Sequence, residues 1–218
     1  MSVRETLRAA GADFYHQSWR LFLLNSALSA FVVPVVVAGS LAPPLLVLLV
    51  LAGPLAAALM HCAVQVAQTE ELRLADAVTG LRLHWRRGLA LAAVLGAAIV
   101  GGTTAIPFYA GGGPLAWPLT MLAVYLLVLL GVLQLALWPL AVAERERAFG
   151  AVVREAVAAI VRRPGPWAGL ALALTLVNLA GAAAGLAPLL TLTIAYSFLA
   201  AAHFALPRSP TREAATDG

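Results

Sequence analysis

The chain has 218 residues, 62% of them hydrophobic and only 11% charged, with a mean hydropathy of +0.92. Soluble domains carry about 25% charged residues, so this composition excludes an ordinary soluble fold and points to helices packed in a bilayer. The net charge of +4 and a pI near 10 fit topology and anionic lipid rather than nucleic acid, since each basic residue near a lipid surface gains roughly 1 kcal/mol.

Val3, Leu7, Ala10 and Phe14 recur at the spacing of one helical face, with Glu5 and Arg8 on the other, and predict an amphipathic helix. Ser2 and Glu5 form a capping box at its start. The junction Trp19-Arg20 leads into a first apolar span over 21–39. Val36-Val37-Ala38 resembles a weak cleavage site, but the preceding segment with Glu5 and Asp13 favours a retained span over a signal peptide.

A turn over 39–42 and a second span over 43–67 follow. Thr69, before Glu70 and Glu71, reads as the start of a second amphipathic helix, in which Leu74, Val78, Leu81 and Trp85 repeat the first helix's spacing. Trp85-Arg86-Arg87 then opens a span over 89–109, and 111–113 reads as a glycine turn. The fourth span, 115–143, is long enough to tilt or project. Phe149, Val153, Ala156 and Ile160 give a third amphipathic helix with the same spacing, followed by Arg162-Arg163 and Trp167. Spans over 167–186 and 188–206 complete the set, separated at 181–188 by either a tight hairpin or a broken helix. Residues 207–218 are expected to be a disordered cytoplasmic tail.

The predicted fold is an all-α integral membrane bundle in one domain, 1–206: six transmembrane helices as three hairpins, each preceded by an amphipathic interfacial helix. Pro34, Pro54 and Pro139 lie inside spans and are expected to kink them. All 14 arginines and all 10 acidic residues fall on one side of the spans, which places both termini in the cytoplasm. Trp19, Trp85, Trp138 and Trp167 are expected at the inner boundary, and Phe108, Tyr109 and Trp117 at the outer one.

No span contains Asp, Glu, Arg or Lys, which argues against an ion-driven carrier. Asn25, Gln134, Asn178 and Tyr196 mark either a polar path or interhelical packing. Gly53 with Ala57, and Gly181 with Gly185, permit close helix approach. The four histidines, His16, His61, His84 and His203, lack metal-ligand spacing, and Cys62 reads as a small core residue. No nucleophile elbow or phosphate loop is present, so the chain reads as a non-enzyme with no cofactor, and nucleic acid is not among its expected partners. Arg82, Arg86, Arg87, Arg154, Arg162 and Arg163 are the candidates for cytoplasmic docking or lipid contact.

The stretch from Trp19 to Asn25 with Pro34, the segment Gly53-Pro54-Leu55-Ala56-Ala57, and Trp85-Arg86-Arg87-Gly88 resemble the YesL-like family of bacterial membrane proteins. Leu137-Trp138-Pro139-Leu140 and the stretch from Arg154-Glu155-Ala156 to Trp167 fit it as well. The resemblance runs from about Phe14 to Phe204. Members of that family have no defined molecular activity and are often encoded beside sugar-uptake transporters and carbohydrate-degrading enzymes. The resemblance therefore implies a bacterial plasma-membrane protein with an accessory role in carbohydrate uptake and a transporter as partner. The competing expectation is a small permease with a polar path between the hairpin repeats.

Overall fold

The computed structural model describes residues 2–69, 72–185 and 188–206, and every regular element among them is helical. Helix α1 (Val3–His16) begins as its sequence dictates: the Ser2 hydroxyl accepts from the Glu5 N–H at 3.2 Å, and the Glu5 carboxylate accepts from the Ser2 N–H at 2.8 Å. Its predicted apolar face is the packed one, with Ala10 buried and Val3, Leu7 and Phe14 against the core.

Helix α2 (Ser18–Leu41) follows after Gln17 and contains Pro34. A 3-10 stretch, Pro43–Leu51, then leads directly into α3 (Ala52–Thr69). Pro43 and Pro44 have no backbone N–H to place in an α-helical ladder. Thr69 ends α3 rather than opening the next helix, and its hydroxyl donates to the Gln65 carbonyl at 2.9 Å. Glu70 and Glu71 lie outside the described residues.

Helix α4 (Leu74–Ala110) holds 37 residues. At 1.5 Å per residue it is about 55 Å long, against a hydrocarbon core of about 30 Å. The expected second interfacial helix is therefore not a separate element but the first third of α4. Nothing between Trp85 and Leu89 breaks the backbone: Gly88 is held helical by close packing on Gly53 of α3. The helix starts instead at Arg73, whose N–H donates to the Asp76 carboxylate at 2.8 Å. Its buried residues are Gly80, His84, Gly88 and Leu91, whereas Leu74, Val78 and Trp85 are exposed.

The glycine turn forms where expected, with Gly113 at φ +81°, a left-handed conformation that glycine adopts without steric cost. After a 3-10 turn, Pro114–Ala116, come α5 (Trp117–Ala143), α6 (Phe149–Arg162) and α7 (Pro164–Ala183). Helix α6 packs Val152, Ala156 and Ile160, close to the predicted face. Helix α7 ends at a left-handed Gly185, φ +109°. Residues 186 and 187, within the predicted turn, lie outside the described residues, as does the tail 207–218. A π-helical segment, Leu189–Thr193, precedes α8 (Ile194–Ala205).

Among the described residues, five segments are long and apolar enough to cross a membrane: Ser18–Leu41, Pro43–Thr69, Leu74–Ala110, Trp117–Ala143 and Pro164–Ala183. The last apolar helix is shorter. The core is concentrated near the arginine-bearing segments, in 57–67 of α3, 134–142 of α5 and 195–203 of α8. Toward the glycine turn, α4 and α5 expose most of their surface, including Val94, Ile99, Val100, Leu122, Tyr125 and Val128. Of the four tryptophans expected near the inner boundary, two are buried: Trp138 stacks on Phe198 at 6.3 Å, and Trp167 meets Phe204 edge-on at 4.7 Å. Only Trp19 and Trp85 of that set are exposed.

The most extensive helix pair is α3–α4, which spans the boundary between the first two predicted repeats. A Cβ on Gly53 would lie 2.2 Å from the Gly88 carbonyl oxygen, and one on Gly88 would lie 2.5 Å from that of Gly53. The backbones touch directly, as small residues at helix crossings allow.

Candidate functional site

Two of the arginine-bearing segments are joined directly, through Arg87 of α4 and the end of α5. Arg87 of α4 donates to the carbonyls of Ala141 at 2.8 Å, Glu144 at 2.9 Å and Arg145 at 2.5 Å, and also to that of Arg147. The last turn of any helix leaves carbonyls without intrahelical donors. The guanidinium's fixed fork of N–H groups suits this cluster, which a point charge would not satisfy equally. Arg87 thus clamps the end of α5 and the start of the α5–α6 connection. Arg20 of α2 similarly donates to the Leu72 carbonyl and to Gln17 Oε1 at 3.1 Å. Arg147 pairs with Glu144 at 2.9 Å and with Glu155 of α6.

The other predicted docking residues differ. Arg82, Arg86, Arg154, Arg162 and Arg163 are exposed, and Arg86 lies over the Trp85 ring at 5.1 Å. The six candidates therefore divide into one internal clamp, Arg87, and five surface cations.

The candidate polar residues are not gathered into one site. Asn178 of α7 donates to Ser197 Oγ at 2.9 Å and to its own Leu174 carbonyl at 2.8 Å, and its Oδ1 accepts from Thr193 Oγ1 at 3.0 Å. These bonds fasten α7 to the π-helical segment and α8. Tyr196 faces elsewhere: its hydroxyl donates to the Leu7 carbonyl of α1 at 3.1 Å, and its ring meets Phe14 edge-on at 6.1 Å. Asn25 is wholly buried in α2. Gln134 of α5 is buried with neither amide atom hydrogen-bonded. Thr103, Thr104 and Thr175 return their hydroxyls to carbonyls of their own helices at 2.8 Å.

The histidines are sorted by packing. His203 Nε2 lies 2.8 Å from the Asp13 carboxylate, both largely buried. His61 of α3 and His84 of α4 bring their rings to 5.2 Å, and Gly80 leaves the room that His61 fills. His16 contacts the Ala12 carbonyl of its own helix at 2.8 Å. No group of three or more metal-ligating side chains occurs among the described residues. Sequence spacing carries no trace of the Asp13–His203, Arg87–α5 or Asn178–Ser197 pairings, because each joins positions far apart along the chain. The single available signal is the presence of a polar side chain inside an apolar run.

No family model, curated protein or solved structure matches this chain.

Proposed function

We propose that the chain is a multi-pass protein of the bacterial plasma membrane with six crossings in three hairpins, both termini and the arginine-bearing end lying in the cytoplasm. In this reading residues 188–206 make the sixth crossing, and α1, the first third of α4 and α6 line the inner face. We further propose that it is a non-enzymatic accessory to carbohydrate uptake or to another membrane transporter, docking through that charged face. The YesL-like resemblance supplies the link to sugar uptake. The structural observation that carries the accessory reading is the use of polar groups. Asn178 and Tyr196, which a conducting path would need open, are engaged in bonds between helices, while Arg154, Arg162 and Arg163 stand exposed.

The alternative, a small permease, draws on Gln134, a buried amide without a protein partner at mid-helix in α5. Liposomes containing only this protein separate the two. The accessory reading expects sugar flux at the level of empty vesicles; flux well above it, abolished by Gln134→Leu, would overturn that reading in favour of the permease.

A further inference from the structure

We infer that Arg82, Trp85 and Arg86 form a binding site for the phosphate headgroup of an anionic phospholipid on the outer flank of α4. The inference rests on the membrane reading above and adds to it a specific ligand.

Positions 78, 82, 85, 89, 93, 96 and 100 follow one side of an α-helix. On this stripe Val78 is 52%, Trp85 46% and Val100 61% exposed, so it is the bundle's outer surface along much of α4. The first third of α4 and the apolar shaft beyond it are one continuous helix. The depth of the arginines is therefore fixed relative to the apolar part. A hydrocarbon core of about 30 Å takes about 20 helical residues. Counted back from Ala110, the inner boundary falls near Ala90, and Arg86 lies about 6 Å beyond it at 1.5 Å per residue. Each headgroup layer is roughly 5–7 Å thick, so Trp85 and Arg86 sit at phosphate depth. Arg82 is exposed one turn further out on the same helix.

The charge pattern calls for an anion. Arg82 and Arg86 stand at i and i+4, where like charges repel. Neither has a carboxylate or carbonyl partner among the described residues. This contrasts with Arg20, Arg87 and Arg147, each of which is engaged internally. The Arg86 guanidinium lies over the exposed Trp85 ring, a cation–π contact beside an indole suited to the headgroup region. An ion held by two guanidinium groups beside an interfacial indole matches a phosphodiester attached to acyl chains that lie along the exposed Ala93 and Val100 of the same stripe. Helix α6 also exposes Arg154 and Arg162, but it is a separate helix with no tryptophan on its surface, which makes it the internal control.

The test is lipid retention by the full-length protein purified in detergent and titrated with phosphatidylglycerol or phosphatidylcholine, read by native mass spectrometry. Wild type is expected to retain phosphatidylglycerol preferentially. R82Q/R86Q should bind it roughly 25-fold more weakly, about fivefold per arginine, with each single variant in between. R154Q/R162Q should stay within twofold of wild type. Glycerol phosphate without acyl chains should not displace the bound lipid. Equal retention by R82Q/R86Q and R154Q/R162Q, equal retention of the two lipids by wild type, or displacement by glycerol phosphate would overturn the proposal. Carbonate extraction of membranes keeps this failure distinct from failure of the membrane reading. A chain released by carbonate defeats both, whereas one that stays in the membrane pellet without selective retention defeats the lipid site alone.

Discussion

His203 and Asp13 meet at 2.8 Å in a largely buried pair that joins α8 to α1. Together with the bond from Tyr196 to Leu7, this pair turns an amphipathic N-terminal helix into part of the core. Sequence alone assigns that helix to the membrane surface, where its apolar face would rest in lipid. The structure gives the same face to the protein: Ala10 is fully buried, and Phe14 packs on Tyr196.

Removing one partner of the pair should therefore loosen α1 more than the rest of the fold. A buried hydrogen bond to a charged group contributes about 1.5–3 kcal/mol, so Asp13→Ala and His203→Ala should each lower protection of α1 amides by that order. The double variant should cost little more than either single one, because both remove the same contact. Hydrogen exchange resolved by peptide checks this; equal loss of protection in α1 and α5 would contradict it.

Arg87 should be irreplaceable by lysine. One ammonium cannot satisfy the carbonyls of Ala141, Glu144, Arg145 and Arg147 that the guanidinium fork reaches. We expect Arg87→Lys to destabilise by about 1–3 kcal/mol, against near-neutral effects for Arg86→Lys on the exposed surface. Thermal unfolding in one detergent compares them directly.

The α3–α4 crossing gives a paired test of packing. Gly88→Ala would place a methyl group 2.5 Å from the Gly53 carbonyl oxygen and force the helices apart, so a loss of about 1–3 kcal/mol is expected. Gly96→Ala meets nothing within 4 Å, and the helix preference of alanine should make it neutral or stabilising by up to about 1 kcal/mol. Similar losses for the two substitutions would show that the helices do not touch at Gly88.

Gln134 offers a gain in stability. A buried amide with no hydrogen-bond partner costs about 1–3 kcal/mol relative to an apolar side chain of similar size. Gln134→Leu should therefore raise the unfolding temperature if the residue serves no ligand. A lower unfolding temperature would point to an unseen partner at that position.

Helix content, the capping box at Ser2 and the glycine turn at Gly113 are all legible in the sequence, because each depends on residues within one or two turns of one another. The faces of α1 and α6 are legible for the same reason. In the first third of α4 the sequence reads an apolar face of Leu74, Val78 and Trp85, which is exposed, but gives no sign that Gly80, His84 and Gly88 form the buried one. Apolar spacing marks a face that avoids water, and in a bilayer lipid serves as well as protein. Likewise Trp138 and Trp167 lie near span ends yet are buried by Phe198 and Phe204. Of the candidate site, sequence identifies the arginines but does not separate the clamp, Arg87, from the exposed cations. That distinction depends on where α5 ends in space.

The accessory role is tested most directly by affinity capture of the chain from its native membranes with quantitative mass spectrometry. A transporter subunit should be enriched in near-stoichiometric amount with wild type and lost from R154Q/R162Q/R163Q. Recovery of the chain without any transport protein would contradict the accessory role.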